Sequence, residues 1–134
     1  MKNPVLQNLT TAELVENFKQ LSFRQAEAEG HNDSRTYNEC FDRLKELRQE
    51  LKRRGPEARR ALVPLLDCPG SGPGPIIGAP AAQCRYNAAH ELLVLEPAPA
   101  RAALNLLAKK GPSYQQFKAR RTLACLDTGS LDPT

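Results

Sequence analysis

The sequence predicts an all-α fold in which antiparallel helix pairs stack into a short right-handed solenoid of about six helices, and three observations lead there. Every periodic stretch repeats its apolar residues at spacings of three and four, and none alternates with period two. Capping residues, glycines and prolines fall at the ends of those stretches. Two stretches beyond residue 55 repeat each other at a spacing near 40 residues. The chain has 134 residues, 40% hydrophobic but only 5% aromatic, with no Trp, so a single core must be built from Leu and Ala rather than large rings.

The first helix is expected over 11–29. Thr10 followed by Glu13 is a capping box, Leu9 and Leu14 make a hydrophobic staple, and Leu14, Phe18 and Leu21 form one apolar face that runs to Gly30. Asn32, Asp33 and Ser34 offer caps for a second helix over 34–54, whose stripe is Tyr37, Cys40, Phe41, Leu44, Leu47 and Leu51 and whose stop is Gly55. A short turn joins the two, which makes 11–54 an antiparallel hairpin. Pro56 opens a short helix through Ala58, Ala61, Leu62, Leu65 and Leu66, with a kink expected at Pro64. Eight of the thirteen residues from 68 to 80 are Gly or Pro, which excludes regular structure there. A helix from Pro80 to Glu96 carries Cys84, Ala88, Leu92 and Leu95 on one face. Prolines 97 and 99 start the next helix, and a last one covers 113–126. Residues 1–126 form one helical domain and 127–134 a frayed tail.

Residues 56–66, PEARRALVPLL, align with 97–107, PAPARAALNLL, at an offset of 41, while Arg85–Ala89 aligns with Arg120–Ala124 at an offset of 35. A shorter loop in the second unit accounts for the difference. The units are therefore 56–96 and 97–126, and a two-helix unit of this length is in the HEAT/armadillo size class. CRYNAAHELL (84–93) resembles the second helix of a HEAT unit, in which consecutive small residues admit a close neighbour.

Taken with NLTTAELVENF (8–18), ELKRR (50–54) and ARRALVPLL (58–66), the chain resembles a bacterial family of small HEAT-like proteins known mainly as a domain of unknown function. The resemblance spans about residues 5–126 and departs at 68–80, where family members have a short turn. It implies a helical-repeat fold and supplies no catalytic residues.

Nineteen Lys and Arg against fifteen Asp and Glu give a net charge of +4, well below that of a dedicated nucleic-acid arm. Arg53, Arg54, Arg59 and Arg60 cluster around the Gly55 corner. They read either as a positive patch for an acidic protein or phosphate backbone, or as dipole complement and solvated face. Arg85 and Arg120 occupy one repeat position, suited either to capping a neighbouring carbonyl or to touching a partner, and Arg121 adds to the basic last helix. Ile76 and Ile77 stand alone in the Gly/Pro loop, as anchors on the helix ends or as a hydrophobic tip for a partner. His90 beside Glu91 does not by itself make a general base. Cys40, Cys68, Cys84 and Cys125 form no CxxC pair and are expected as small buried hydrophobes, so no metal and no cofactor is expected. No apolar run is long enough for a membrane span and no signal peptide opens the chain, which leads to a cytoplasmic, monomeric or dimeric protein. No nucleophile elbow, Walker loop or zinc-protease motif occurs. The expected function is a non-enzymatic protein-binding module, most simply an immunity protein that neutralises a cognate secreted toxin. The alternative is a HEAT-like nucleic-acid binder or a general adaptor.

Overall fold

The computed structural model describes residues 4–69 and 77–129. Among the described residues there are seven α-helices, one 3₁₀ helix and no strand. In order they are α1 (Pro4–Gln7), α2 (Thr11–Gly30), α3 (Ser34–Arg54), α4 (Pro56–Arg60), the 3₁₀ helix (Val63–Asp67), α5 (Ala79–Leu92), α6 (Pro97–Lys110) and α7 (Ser113–Thr128).

The capping box forms at the start of α2. The Thr10 amide donates to Glu13 Oε1 at 2.9 Å, and the Glu13 amide donates to Thr10 Oγ1 at 3.1 Å. Two amides that the helix itself cannot bond are thereby satisfied. The far end differs from expectation. Gly30 is the last helical residue, and the left-handed conformation that reverses the chain falls on Asn32, at φ 56°. Asn tolerates this region better than other residues with a Cβ, and the turn is closed by the Asp33 amide donating to the Ala28 carbonyl at 2.8 Å. Asp33 then caps α3 by accepting from the Thr36 amide at 3.1 Å. At the other end of α3, Gly55 takes φ 113°, which a residue with a Cβ rarely adopts.

Pro64 does more than kink a helix. It has no N–H to offer residue 60, and its ring crowds that residue's carbonyl. The α-helix accordingly stops at Arg60, and the chain continues as the separate 3₁₀ helix. Pro97 shortens the next helix in a similar way. It pushes Glu96 out of the helical region, to φ −136°, and α5 ends at Leu92 with turns over 93–95 instead of reaching 96. α7 runs on to Thr128 and stops at the left-handed Gly129, so residues 127 and 128 are helical rather than tail.

Helix α5 is the centre of the molecule. It packs on α2, on the 3₁₀ helix, on α6 and on α7, while α2 also packs on α3 and α6 on α7. Its alanines Ala81, Ala82, Ala88 and Ala89 are fully buried and small enough for neighbours on several sides to come close. Around them lie Leu14, Phe18, Leu47, Leu51, Leu62, Leu92, Leu104 and Leu107, none of them accessible beyond 1%. Each such leucine stabilises the fold by about 2 kcal/mol. Cys40, Cys68 and Cys84 are buried in the same core as reduced thiols, whereas Cys125 is only partly covered. No described helix is long and apolar enough to cross a membrane.

Candidate functional site

Four helices each contribute one stripe to a concave groove. On α3 the stripe is Tyr37, Phe41, Leu44 and Arg48, spaced four, three and four, so that all four project on one side. On α5 it is Gln83, Tyr86, Asn87 and His90, and on α2 Phe18 and Gln25, seven residues apart. Lys118 and Arg121 complete the far lip from α7. Together these residues enclose about 380 Å³. None of them is a carboxylate.

Polar side chains occupy core positions in the floor. Gln25, Gln83 and Gln115 are at most 3% exposed, and Ser22 is fully buried. Burying amides is costly unless each finds a partner, and here they partner one another. Lys118 Nζ donates to Gln83 Oε1 at 2.9 Å and to Glu29 Oε1 at 3.0 Å. Gln83 Nε2 donates to Asn87 Oδ1 at 2.9 Å. Asn87 Nδ2 donates in turn to Gln25 Oε1 at 3.0 Å and Ser22 Oγ at 2.9 Å. The Ser22 hydroxyl ends one branch on the Phe18 carbonyl at 2.9 Å. Gln115 Nε2 also reaches Gln83 Oε1, at 3.1 Å, which leaves Gln115 Oε1 buried without a partner among the described residues.

The lips are aromatic and cationic. Phe41 is 48% exposed on α3, while Tyr114 and Phe117 are 53% and 63% exposed on α7. Lys118 lies over the Tyr37 ring at 5.4 Å and Arg121 over the Phe117 ring at 5.7 Å. Arg48 stands 4.0 Å from Glu91, whose other partner is Arg59 at 3.3 Å. Burial pushes the Glu91 carboxyl up, with the two arginines opposing, and burial followed by the Arg48 charge pushes His90 down. A second hollow of about 400 Å³ adjoins the first, sharing Tyr37 and reaching Tyr114. Among the described residues no group of three His, Cys, Asp or Glu could hold a metal ion.

Most of the basic residues singled out in the sequence are engaged within the fold. Arg53 and Arg54 both donate to Glu50, which is 6% exposed. Hydrogen bonding, first from Arg53 and then from Arg54, outweighs the effect of burial and holds that carboxyl at about 2. Arg54 also reaches the Leu6 and Leu9 carbonyls at 3.0 and 2.6 Å, so its side chain is tied across the start of α2. Arg59 donates to the Glu91 carbonyl at 3.2 Å, and Arg60 lies 3.9 Å from Glu96. Arg85 Nε donates to the Cys68 carbonyl at 2.9 Å and Arg120 Nε to the Ala108 carbonyl at 3.0 Å. The same repeat position thus closes each unit in the same way, by binding a carbonyl at the end of the preceding element. Ile77 is 8% exposed and sits in the core, so its side chain is not on offer to a partner, and Ile76 lies outside the described residues. Of all these candidates only Arg121 lines the groove.

Sequence reasoning did not pick out Gln25, Gln83, Asn87 or Lys118, and it placed Phe41 in the apolar stripe of the second helix, where the structure leaves it 48% exposed. The available signal was polar residues at apolar-stripe positions. Ser22 and Gln25 continue the Leu14–Phe18–Leu21 face, and Gln83 and Asn87 share a face with buried alanines.

The groove and the helices that carry it lie within a stretch already known in other proteins. The crystal structure of the protein RPA1889 from Rhodopseudomonas palustris CGA009 is similar to this chain, with 29% identity and a TM-score of 0.82 over 96% of this chain and 98% of that one. None of the curated proteins matches. The model of the family Domain of unknown function (DUF2019) matches residues 12–127, from the first turn of α2 to the last of α7. The chain belongs to that family.

Proposed function

We propose that this chain is a non-enzymatic protein-binding module and that its docking face is the groove between α3 and α7. The observation that carries the reading is the pair of lips: Phe41 on one side and Tyr114 on the other stand about half exposed and line the two adjoining hollows, and Phe117, more exposed still, lies next to Arg121 on the far lip. Aromatic side chains around a hollow are what protein interfaces enrich, because they bury much area for little lost side-chain freedom. An α-helix or extended segment of a partner would lie between the lips, in the helix-in-groove manner.

The narrower form of the proposal is an immunity protein that binds a cognate bacterial toxin in the cytoplasm and occludes its active site. Its support is the resemblance to small helical-repeat proteins, together with the two units closed alike by Arg85 and Arg120. A large toxin reading frame directly upstream supports that form, and a locus without one favours a general adaptor.

The docking face itself is tested by placing a photo-crosslinking phenylalanine analogue at Phe41 or Phe117, with Leu106 on α6 as the control position. Crosslinking of one discrete protein from both groove positions and not from Leu106 is the expected result. Equal labelling from all three positions would remove the groove as the docking face.

A further inference from the structure

We propose that the groove recognises a single carboxylate on an acidic segment of its protein partner, held between Gln25 Nε2 and Arg121. The inference rests on the groove being the docking face, and adds to that reading the chemistry of what docks.

Lys118 can donate hydrogen bonds but never accept them. Its ammonium therefore obliges Gln83 to turn its oxygen toward α7, at 2.9 Å. The Gln83 amide nitrogen must then face Asn87, and it donates to Oδ1. Asn87 in turn has only its nitrogen left for Gln25, and donates to Oε1. Each amide is oriented by the one before it, so a cation on α7 settles which end of Gln25 on α2 is occupied. The occupied end is the acceptor. The free end, Nε2, donates to no group among the described residues, although Gln25 is 97% buried and lines the groove. That nitrogen still opens onto the groove, so water serves it while the groove is empty, and an occupant that displaces the water must bring an acceptor of its own or leave the donor unpaired at a cost.

Charge narrows the acceptor. Of the three cations lining the groove, Lys118 is paired with Glu29 at 3.0 Å and Arg48 faces Glu91 at 4.0 Å. Arg121 has no carboxylate partner among the described residues and lies over the Phe117 ring. Arg121 is thus the groove cation that no carboxylate of the described residues faces, and one carboxylate is what it can take. A nucleic-acid backbone carries a charge at every nucleotide and needs a row of free cations, whereas the arginines around Gly55, and Lys118 and Arg120 beside Arg121 in α7, are engaged by Glu50, Glu91, Glu96, Glu29 and a backbone carbonyl. An acidic protein segment that seats one Asp or Glu side chain, with its apolar neighbours against Phe41 and Phe117, satisfies both the free donor and the free charge.

The test uses the full chain, ¹⁵N-labelled, titrated with N-acetyl-glutamate methylamide and, in parallel, with the uncharged isostere N-acetyl-glutamine methylamide. Saturable shifts of the Gln25 side-chain amide and Arg121 Nε resonances are expected with the glutamate probe, at an affinity about tenfold or more above that for the glutamine probe. Gln25→Met and Arg121→Gln should each abolish that preference. Asn87→Asp should reverse it. A carboxylate at 87 cannot donate, so Gln25 must turn its nitrogen inward and present its oxygen to the groove. Where the Asn87 variant does not fold, the other two decide. Equal affinity for the two probes, or no shift at Gln25 and Arg121, overturns the carboxylate while leaving the crosslinking result to judge the groove. Displacement of the glutamate probe by a single-stranded oligonucleotide at physiological salt overturns it as well.

Discussion

Arg53 and Arg54 are neighbours of the same type that share one acceptor, yet the structure separates what each contributes. Arg54, its side chain 17% exposed, bonds the buried Glu50 at 2.8 Å and holds the Leu6 and Leu9 carbonyls. Arg53, 47% exposed, bonds Glu50 alone. Replacing Arg54 by Met removes a hydrogen bond to a charged group, which contributes about 1.5–3 kcal/mol, and leaves the Leu9 carbonyl short of a donor at about 1 kcal/mol more, while the Leu6 carbonyl keeps the Leu9 amide at 3.2 Å. The expected loss is about 3 kcal/mol, or roughly 10 °C in melting temperature for a chain of this size. Arg53→Met loses only its exposed bonds to Glu50 and should cost less than Arg54→Met. Urea titrations at neutral pH give both numbers, and hydrogen exchange should show protection lost over residues 6–11 in the Arg54 variant only. The acid side behaves differently, because Arg53 does the larger part in lowering the Glu50 carboxyl to about 2 from an ordinary 4.5. A carboxyl lowered by folding stabilises the protein above pH 4.5, and that contribution is lost as pH falls through about 2. Arg53→Met should flatten this part of the pH–stability curve more than Arg54→Met does. Equal losses at neutral pH, or unchanged exchange at 6–11 in the Arg54 variant, would refute the reasoning.

Other outcomes follow from single residues. Asn32, at φ 56°, should accept Gly with little change, whereas Asn32→Val should cost about 1–2 kcal/mol by thermal unfolding. Leu92→Ala, at a fully buried position on α5, should cost about 2–5 kcal/mol, against less than about 1 for Leu106→Ala at 38% exposure. His90 is pushed below its ordinary 6.5 by burial and then by Arg48. Its contribution is therefore complete above pH 6.5 and is lost as pH falls through the lowered value. Stability measured from pH 7 to 5 should decline, and His90→Gln should make that decline shallower.

The helices could be read from the sequence because their signals are local. The Thr10–Glu13 box and the apolar stripes act within one or two turns, and they stand where the spacing put them except at Phe41, which the stripe of α3 leaves exposed. The reversal after α2 was misplaced because Gly30 and Asn32 can both take a left-handed conformation, and the bond that selects Asn32, from Asp33 to Ala28, forms only once the turn exists. The arginines show the limit more clearly. Arg59 finds Glu91 32 residues away, and no spacing in the sequence links them. The groove was hidden for the same reason. Gln25, Gln83, Asn87 and Lys118 are each an ordinary polar residue on its own helix, and their meaning comes from the register in which α2, α5 and α7 meet.

The far lip of the groove belongs to α7, the last helix described, and this bears on when the proposed docking face is first complete. At about 5–20 residues per second of synthesis, the chain through α5 has seconds to settle before α7 emerges. Helical hairpins form in far less time than that. A nascent chain can therefore carry Gln83 and Asn87 on a folded floor while Lys118, which orients them, has yet to be made. Until it arrives those amides are free to turn either way, and Phe41 faces no opposite wall. Completion of the groove is in this sense a signal that the chain is whole: a product cut short before residue 118 would keep most of its core and lack the lip on which the proposed docking depends.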